Sequence, residues 1–141
     1  MALGIAAFCL TAIFGVLSLG STNNKTTVEQ TAAAGLASAI VSDLRALNTS
    51  NSTSSIYQIT IPSSPSGSTQ QLKLREDGAL DSTGGAESRY LGYVTFYSPA
   101  TSKSATPVRI LITWPAVADL NNNPPRNFSG SYEVVTALDR N

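Results

Sequence analysis

The sequence predicts an α+β protein in which a long N-terminal helix packs on a small antiparallel sheet. Apolar residues recur at helical intervals before residue 48, whereas β-branched and aromatic residues form short alternating runs after residue 55. Helical sequence followed by a series of strands favours an α+β arrangement over alternating strands and helices. We therefore divide the chain into an apolar half of the helix (1–25), an amphipathic half (26–47) and a β head (48–141).

Composition argues against most chemical functions. Nine Lys and Arg balance nine Asp and Glu, and charged residues make up only 13% of the chain, so no basic surface is expected for nucleic acid. Histidine is absent, which removes the commonest general base and metal ligand. We expect no enzymatic activity, no cofactor, no metal and no small-molecule substrate.

The first twenty residues contain no charged side chain. A helix of roughly 20 residues spans about 30 Å, the thickness of a bilayer core, so residues 1–25 are predicted to form a membrane-spanning half-helix. Within it Ala7, Thr11 and Gly15 recur every four residues, a stripe of small side chains that lets a second helix approach closely. We predict that this stripe mediates helix packing.

Poor helix formers follow the apolar segment and predict a hinge at Gly20, Asn23 and Asn24. Residues 26–29 (Thr-Thr-Val-Glu) match a capping box, which predicts the start of a second helical segment. Its apolar face is predicted from residues spaced three or four apart: Val28, Ala32, Leu36, Ile40, Leu44 and Leu47. The Asn/Ser/Thr-rich residues 48–55 are interpreted as a linker.

Five strands are predicted from alternating β-prone runs that end at Pro, Gly or Asp: 56–61, 71–75, 90–97, 107–114 and 132–138. The run 107–114 is the most β-prone, so we place it in the centre of the sheet.

Candidate chemical sites are weak. Asp119, Asn121 and Asn123 have the alternate spacing that opens a calcium loop, but Pro124 and Gly130 replace the glycine and glutamate that such a loop needs. We interpret this segment as a solvated loop. The acidic cluster Glu76, Asp77 and Asp81 is interpreted as turn-shaping, the aromatic residues between 90 and 114 as core, and no serine-lysine catalytic signature is found.

The order of these elements resembles type IV pilins and the pseudopilins of type II secretion. The sequence is most similar to the Verru_Chthon cassette protein B group of Verrucomicrobia, through residues 2–10, 109–115 and 132–141. The resemblance implies a structural subunit that sits in the inner (cytoplasmic) membrane by one span, with its head in the periplasm or at the cell surface. Its implied partners are the membrane and other pilin-like subunits.

Prepilins of this kind begin with a short basic leader, a cleavage site and a glutamate, and none of these precedes Met1. We expect that the chain starts at an internal methionine, which reading the coding frame upstream would test. The alternative is a secreted or membrane-anchored binding domain that does not polymerise. A signal peptide is disfavoured because Met1 is not followed by a basic n-region and the apolar run exceeds the usual h-region of roughly 7–15 residues.

Overall fold

The structure is a computed structural model that describes residues 2–47, 51–101 and 104–139, with helix side chains described from Asn24 onward. These residues form one α-helix, four strands and a short 3-10 helix. In chain order they are α1 (Ala2–Arg45), β1 (Ser68–Leu74), β2 (Tyr90–Phe96), β3 (Thr106–Trp114), the 3-10 turn (Ala116–Ala118) and β4 (Gly130–Leu138). The predicted combination of a helix with an antiparallel sheet is confirmed.

The chain divides into two compact units, residues 1–32 and 33–141. The second unit contains the last three turns of α1 together with the sheet. Among the helix residues whose side chains the structure describes, 24–45, no stretch has the length and apolar character needed to cross a membrane.

Helix α1 is continuous through residues 26–29, so the predicted helix start at a capping box there is wrong: these residues lie inside a helix. It ends at Arg45, two residues before the predicted end at Leu47. The predicted hinge residues Gly20, Asn23 and Asn24 have helical backbone. Whether the helix bends there under other conditions stays a prediction.

One face of the last turns of α1 is buried, and its residues recur at helical spacing: Ala33, Leu36, Ala37, Ile40 and Leu44. This stripe confirms three residues of the predicted apolar face: Leu36, Ile40 and Leu44. Ala32 and Leu47 are half-buried, and Val28 has 67% of its surface exposed. Arg45 at the end of α1 donates a hydrogen bond from Nη2 to the Thr136 hydroxyl in β4 at 2.9 Å, which ties the helix end to the sheet.

The sheet has the strand order β1-β2-β3-β4, and every neighbouring pair is antiparallel. β3 lies inside the sheet, which confirms the predicted central position of this run. Residues directly opposite each other share a face, so the register gathers one apolar set on the side of α1. Its buried members are Leu72, Leu74, Tyr90, Val94, Phe96, Val108, Ile110, Ile112 and Trp114.

On the other face of the sheet, the segment that follows β3 covers part of β2 and β3. Leu91 and Tyr93 of β2 form a small second core with Ala116, and Leu111 and Leu120 pack against it. All seven residues of β2 are buried, because α1 shields one face and this segment shields the other.

The predicted first strand, 56–61, is wrong as a sheet strand. Its burial does alternate, since Tyr57, Ile59 and Ile61 are buried while Gln58 and Thr60 are exposed. However, Gln58 has a φ of 52°, in the left-handed region, which interrupts an extended chain. The segment makes an isolated bridge between Thr53 and Thr60 instead of joining the sheet.

Candidate functional site

Helix α1 carries the site residues predicted from the sequence. The backbone of Ala7, Thr11 and Gly15 lies in the helix, but the surroundings of these residues fall outside what the structure describes, so the packing stripe stays a prediction. The surroundings of Gly20 and Asn23 fall outside it as well, and Asn24 is exposed. The sites that can be built from contacts therefore lie in the second unit.

Asp43 joins the end of α1 to the segment that follows it. The residue is 4% exposed, and its carboxylate accepts hydrogen bonds from the backbone N–H groups of Tyr57 at 2.9 Å and Ile56 at 3.3 Å. Burial, with the nearby Asp43 charge, raises the pKa of the Tyr57 hydroxyl. A helix residue thus supplies the acceptor that a neighbouring strand would otherwise supply to these N–H groups.

Asp119 organises the long loop between β3 and β4. Its carboxylate accepts hydrogen bonds from Asn122 Nδ2 at 2.8 Å and from the N–H groups of Arg126 at 3.0 Å and Asn127 at 2.8 Å. Burial raises the pKa of Asp119, but these hydrogen bonds and the Arg126 charge outweigh it, so the pKa lies below its ordinary value. The carboxylate is charged at neutral pH and closes the loop.

The interpretation of this segment as solvated is wrong at Asp119, which is 1% exposed. Its two oxygens already accept N–H donors, whereas a calcium ion would require oxygens directed at the ion. Among residues 2–47, 51–101 and 104–139, no group of three His, Cys, Asp or Glu is placed to hold a metal. Asp119 therefore stabilises the loop by accepting hydrogen bonds from its N–H groups.

A third carboxylate, Asp81, shapes the turn between β1 and β2. It accepts hydrogen bonds from the N–H and hydroxyl of Thr83, from the Ser88 hydroxyl at 2.7 Å and from the Glu87 N–H at 3.2 Å. The hydrogen bond from the Thr83 hydroxyl is the main reason that the pKa of Asp81 lies well below its ordinary value, and partial burial of the carboxylate works in the opposite direction. Nearby, Asp77 accepts the Ala79 N–H at 3.0 Å. Both contacts fit the turn-shaping interpretation of this cluster.

The aromatic residues lie mainly in the cores, as interpreted from the sequence. Tyr90 and Trp114 meet edge-to-face with ring centroids 6.2 Å apart. Tyr93 donates its hydroxyl to the Asn122 carbonyl at 2.9 Å, which ties β2 to the Asp119 loop, and burial raises its pKa. Among the aromatic residues between 90 and 114, Tyr97 is the exposed one, at 40%.

A groove of about 240 Å³ lies between α1 and β4 in the second unit. Small helix residues line one wall, and strand residues line the other. The lining side chains include Ala34, Ala37, Ser38, Val41, Tyr132 and Val134. Sequence periodicity does not show this groove, because it depends on which sheet edge the helix lies beside.

Comparisons with protein-family models, with characterised proteins and with solved structures found no match to this chain.

Proposed function

We propose that the chain is a structural subunit, pilin-like or pseudopilin-like, which is held in the membrane by its N-terminal helix and assembles through that helix into a type IV pilus or type II secretion-like filament. The observation that carries the proposal is the design of α1. It begins in the uncharged N-terminal segment, at Ala2, and its buried stripe ends at Leu44 in the second unit. A helix of this kind supports assembly at one end and a folded head at the other.

The contacts within the head support the same proposal. Its bonded carboxylates, Asp43, Asp81 and Asp119, each accept backbone N–H groups of a nearby loop. Such contacts fix loops on a small sheet, which a subunit needs in order to present a constant surface. The proposed partners are the membrane and other copies of pilin-like subunits, and the proposed location is the inner membrane before assembly.

Cross-linking through Cys9 tests the proposal. It is the one cysteine in the chain and lies in the apolar segment, so any disulfide between subunits reports contact between their N-terminal helices. Oxidation with a copper catalyst of membranes that contain the full chain should give cross-linked dimers. Samples without copper and the Cys9→Ser variant serve as controls. Cross-linked material should co-purify with filaments in cells that assemble them.

Mass spectrometry of the mature N-terminus separates the alternative. A secreted domain would be cleaved near Ser21 and lose Cys9. A membrane-bound chain that retains Cys9 but never cross-links would point to an anchored binding domain, and either outcome would contradict the filament proposal.

A further inference from the structure

The two edges of the sheet differ in how they are covered. Along β1, the side chain of Gln70 bonds both backbone groups of Thr60, accepting the N–H at 3.0 Å and donating to the carbonyl. Leu74 also forms a bridge with Leu80. β4 pairs with β3 alone among the described strands. Its outer side is the open edge of the sheet.

The hydrogen-bond phase shows which backbone groups face outward. The Tyr97 N–H donates to the Pro107 carbonyl at 2.9 Å, so the backbone carbonyl of Pro107 points toward β2. Backbone groups alternate in direction along a strand, so the N–H and C=O of the next residue, Val108, point toward β4. The backbone N–H and C=O of Thr136, the residue paired with Val108, therefore point toward β3. The alternate residues of β4 direct their N–H and C=O groups away from the sheet, and all are exposed: Ser131, Glu133, Val135 and Ala137.

This edge lacks the usual protection. Edge strands are commonly blunted by lysine, proline or a bulge, yet β4 contains neither residue and its register with β3 is unbroken from Gly130 to Leu138. Its single charge, Glu133, is bound by two nitrogens of Arg109 at 2.9 and 2.7 Å. Arg109 lowers the pKa of Glu133 and balances its charge. The edge is thus extended and nearly neutral.

We propose that β4 is an interaction surface at which two copies of this chain pair, β4 against β4, antiparallel about a two-fold axis at Val134. This register sets Ser131 opposite Ala137 of the second copy and Glu133 opposite Val135, so all four outward residues find backbone partners. A register centred on Glu133 would place two carboxylates face to face. One centred on Val135 would move Ser131 beyond the end of the opposing strand.

The groove beside β4 fits the side chains of such a partner. In this register Tyr132 lies opposite Thr136 of the second copy, on the side of the sheet that faces α1. The helix wall of the groove on that side comprises the small residues Ala34, Ala37 and Ser38 together with Val41 and Arg45, and the small residues leave room for side chains entering from the edge. Strand addition gains affinity from the main chain and selectivity from pockets of this kind.

The pairing goes beyond the filament proposal and does not depend on it. A two-fold contact closes on itself and joins two heads, whereas a filament requires head-to-tail contacts that repeat. The two proposals are therefore separable by experiment, because one concerns Cys9 and the other concerns β4.

Paired cysteine variants test the register in the full chain in detergent, with Cys9 replaced by serine. Residues at position 134 of two copies would form a non-hydrogen-bonded pair with Cα atoms about 4.5 Å apart, within the range of a disulfide. Residues at position 135 would be diagonal neighbours about 7–8 Å apart, beyond that range. Val134→Cys should therefore give dimer as the main species on non-reducing gels, and Val135→Cys a minor one. Equal cross-linking of both, or of neither, would overturn the proposal.

Proline at position 135 provides the second test. The Val135 N–H points away from β3, so Val135→Pro removes a hydrogen bond to the second copy while the β3–β4 ladder keeps its bonds. Added to Val134→Cys, it should abolish the cross-linked dimer, and Val135→Ala should preserve it. Trp114 fluorescence checks that the head is folded. Undiminished cross-linking in a folded proline variant would contradict strand pairing. If proline unfolded the head, the comparison of Val134→Cys with Val135→Cys would still test the register.

Discussion

At Gly130 the backbone of β4 passes against the ring of Trp114. A Cβ atom at this position would lie 2.4 Å from Trp114 Cζ2, far inside van der Waals contact. Gly130→Ala should therefore force the indole or the strand to move and lower the free energy of unfolding by about 1–3 kcal/mol. Urea unfolding followed by the fluorescence of this single tryptophan measures the effect. Ser131→Ala, at the exposed next residue, is the control, and equal stability of the two variants would contradict the close approach.

Asp81 should make the free energy of unfolding of the head depend on pH in the acid range. Its pKa is lowered in the folded chain, so the stability it contributes is present above the ordinary carboxyl pKa of about 3.9 and is lost as the pH falls toward the folded value. Asp81→Asn should be clearly less stable than the native chain at pH 7, and the difference should shrink below about pH 4. The neutral change Asn123→Ala should shift stability equally at both pH values. A pH-independent deficit for Asp81→Asn would refute the argument.

At the scale of the elements, the sequence predicts four of the strands and the buried part of α1, because each alternates or recurs with the period of its structure. It fails at residues 56–61 for a physical reason. Alternation predicts which side chains are buried, and Tyr57, Ile59 and Ile61 are buried, but it does not predict what satisfies the backbone. Here the side chains of Asp43 and Gln70 do so, in place of a neighbouring strand.

The same limit applies to Asp119. Its position at the head of an Asn-rich run suggests solvent or a cation, whereas its partners are backbone N–H groups seven and eight residues later. A weak signal was available, because a carboxylate preceding several turn-forming residues is a common loop acceptor. Only the folded loop shows which donors it reaches.

The last turns of α1 should contribute stability through one face alone. Ile40 is fully buried and Val28 is 67% exposed on the same helix. Ile40→Ala should lower the free energy of unfolding by about 2–5 kcal/mol, since it removes buried methylene groups and leaves a cavity, whereas Val28→Ala should change it by less than about 0.5 kcal/mol. Urea titration monitored at Trp114 compares them. A comparable loss in both variants would show that the exposed turn also packs on the head.

For the whole molecule, the filament proposal requires that stability of the head and assembly through the helix be separable. Gly15 belongs to the small-residue stripe predicted for helix packing, and Gly15→Leu adds bulk where a second helix would approach. The variant should assemble poorly into filaments while Trp114 fluorescence and the urea midpoint of the head stay unchanged.

Ala6→Leu is the matched control for that experiment. It lies nine residues before Gly15, about two and a half helical turns away and so on the opposite side of the helix. It adds bulk of the same kind without obstructing the stripe, and it should assemble normally. Equal incorporation of both variants into filaments would show that the small-residue stripe is not part of the assembly interface. Equal failure of both would show that bulk anywhere on the apolar half of α1 is harmful, so that packing around the whole helix, rather than along one side, would have to hold the subunits together.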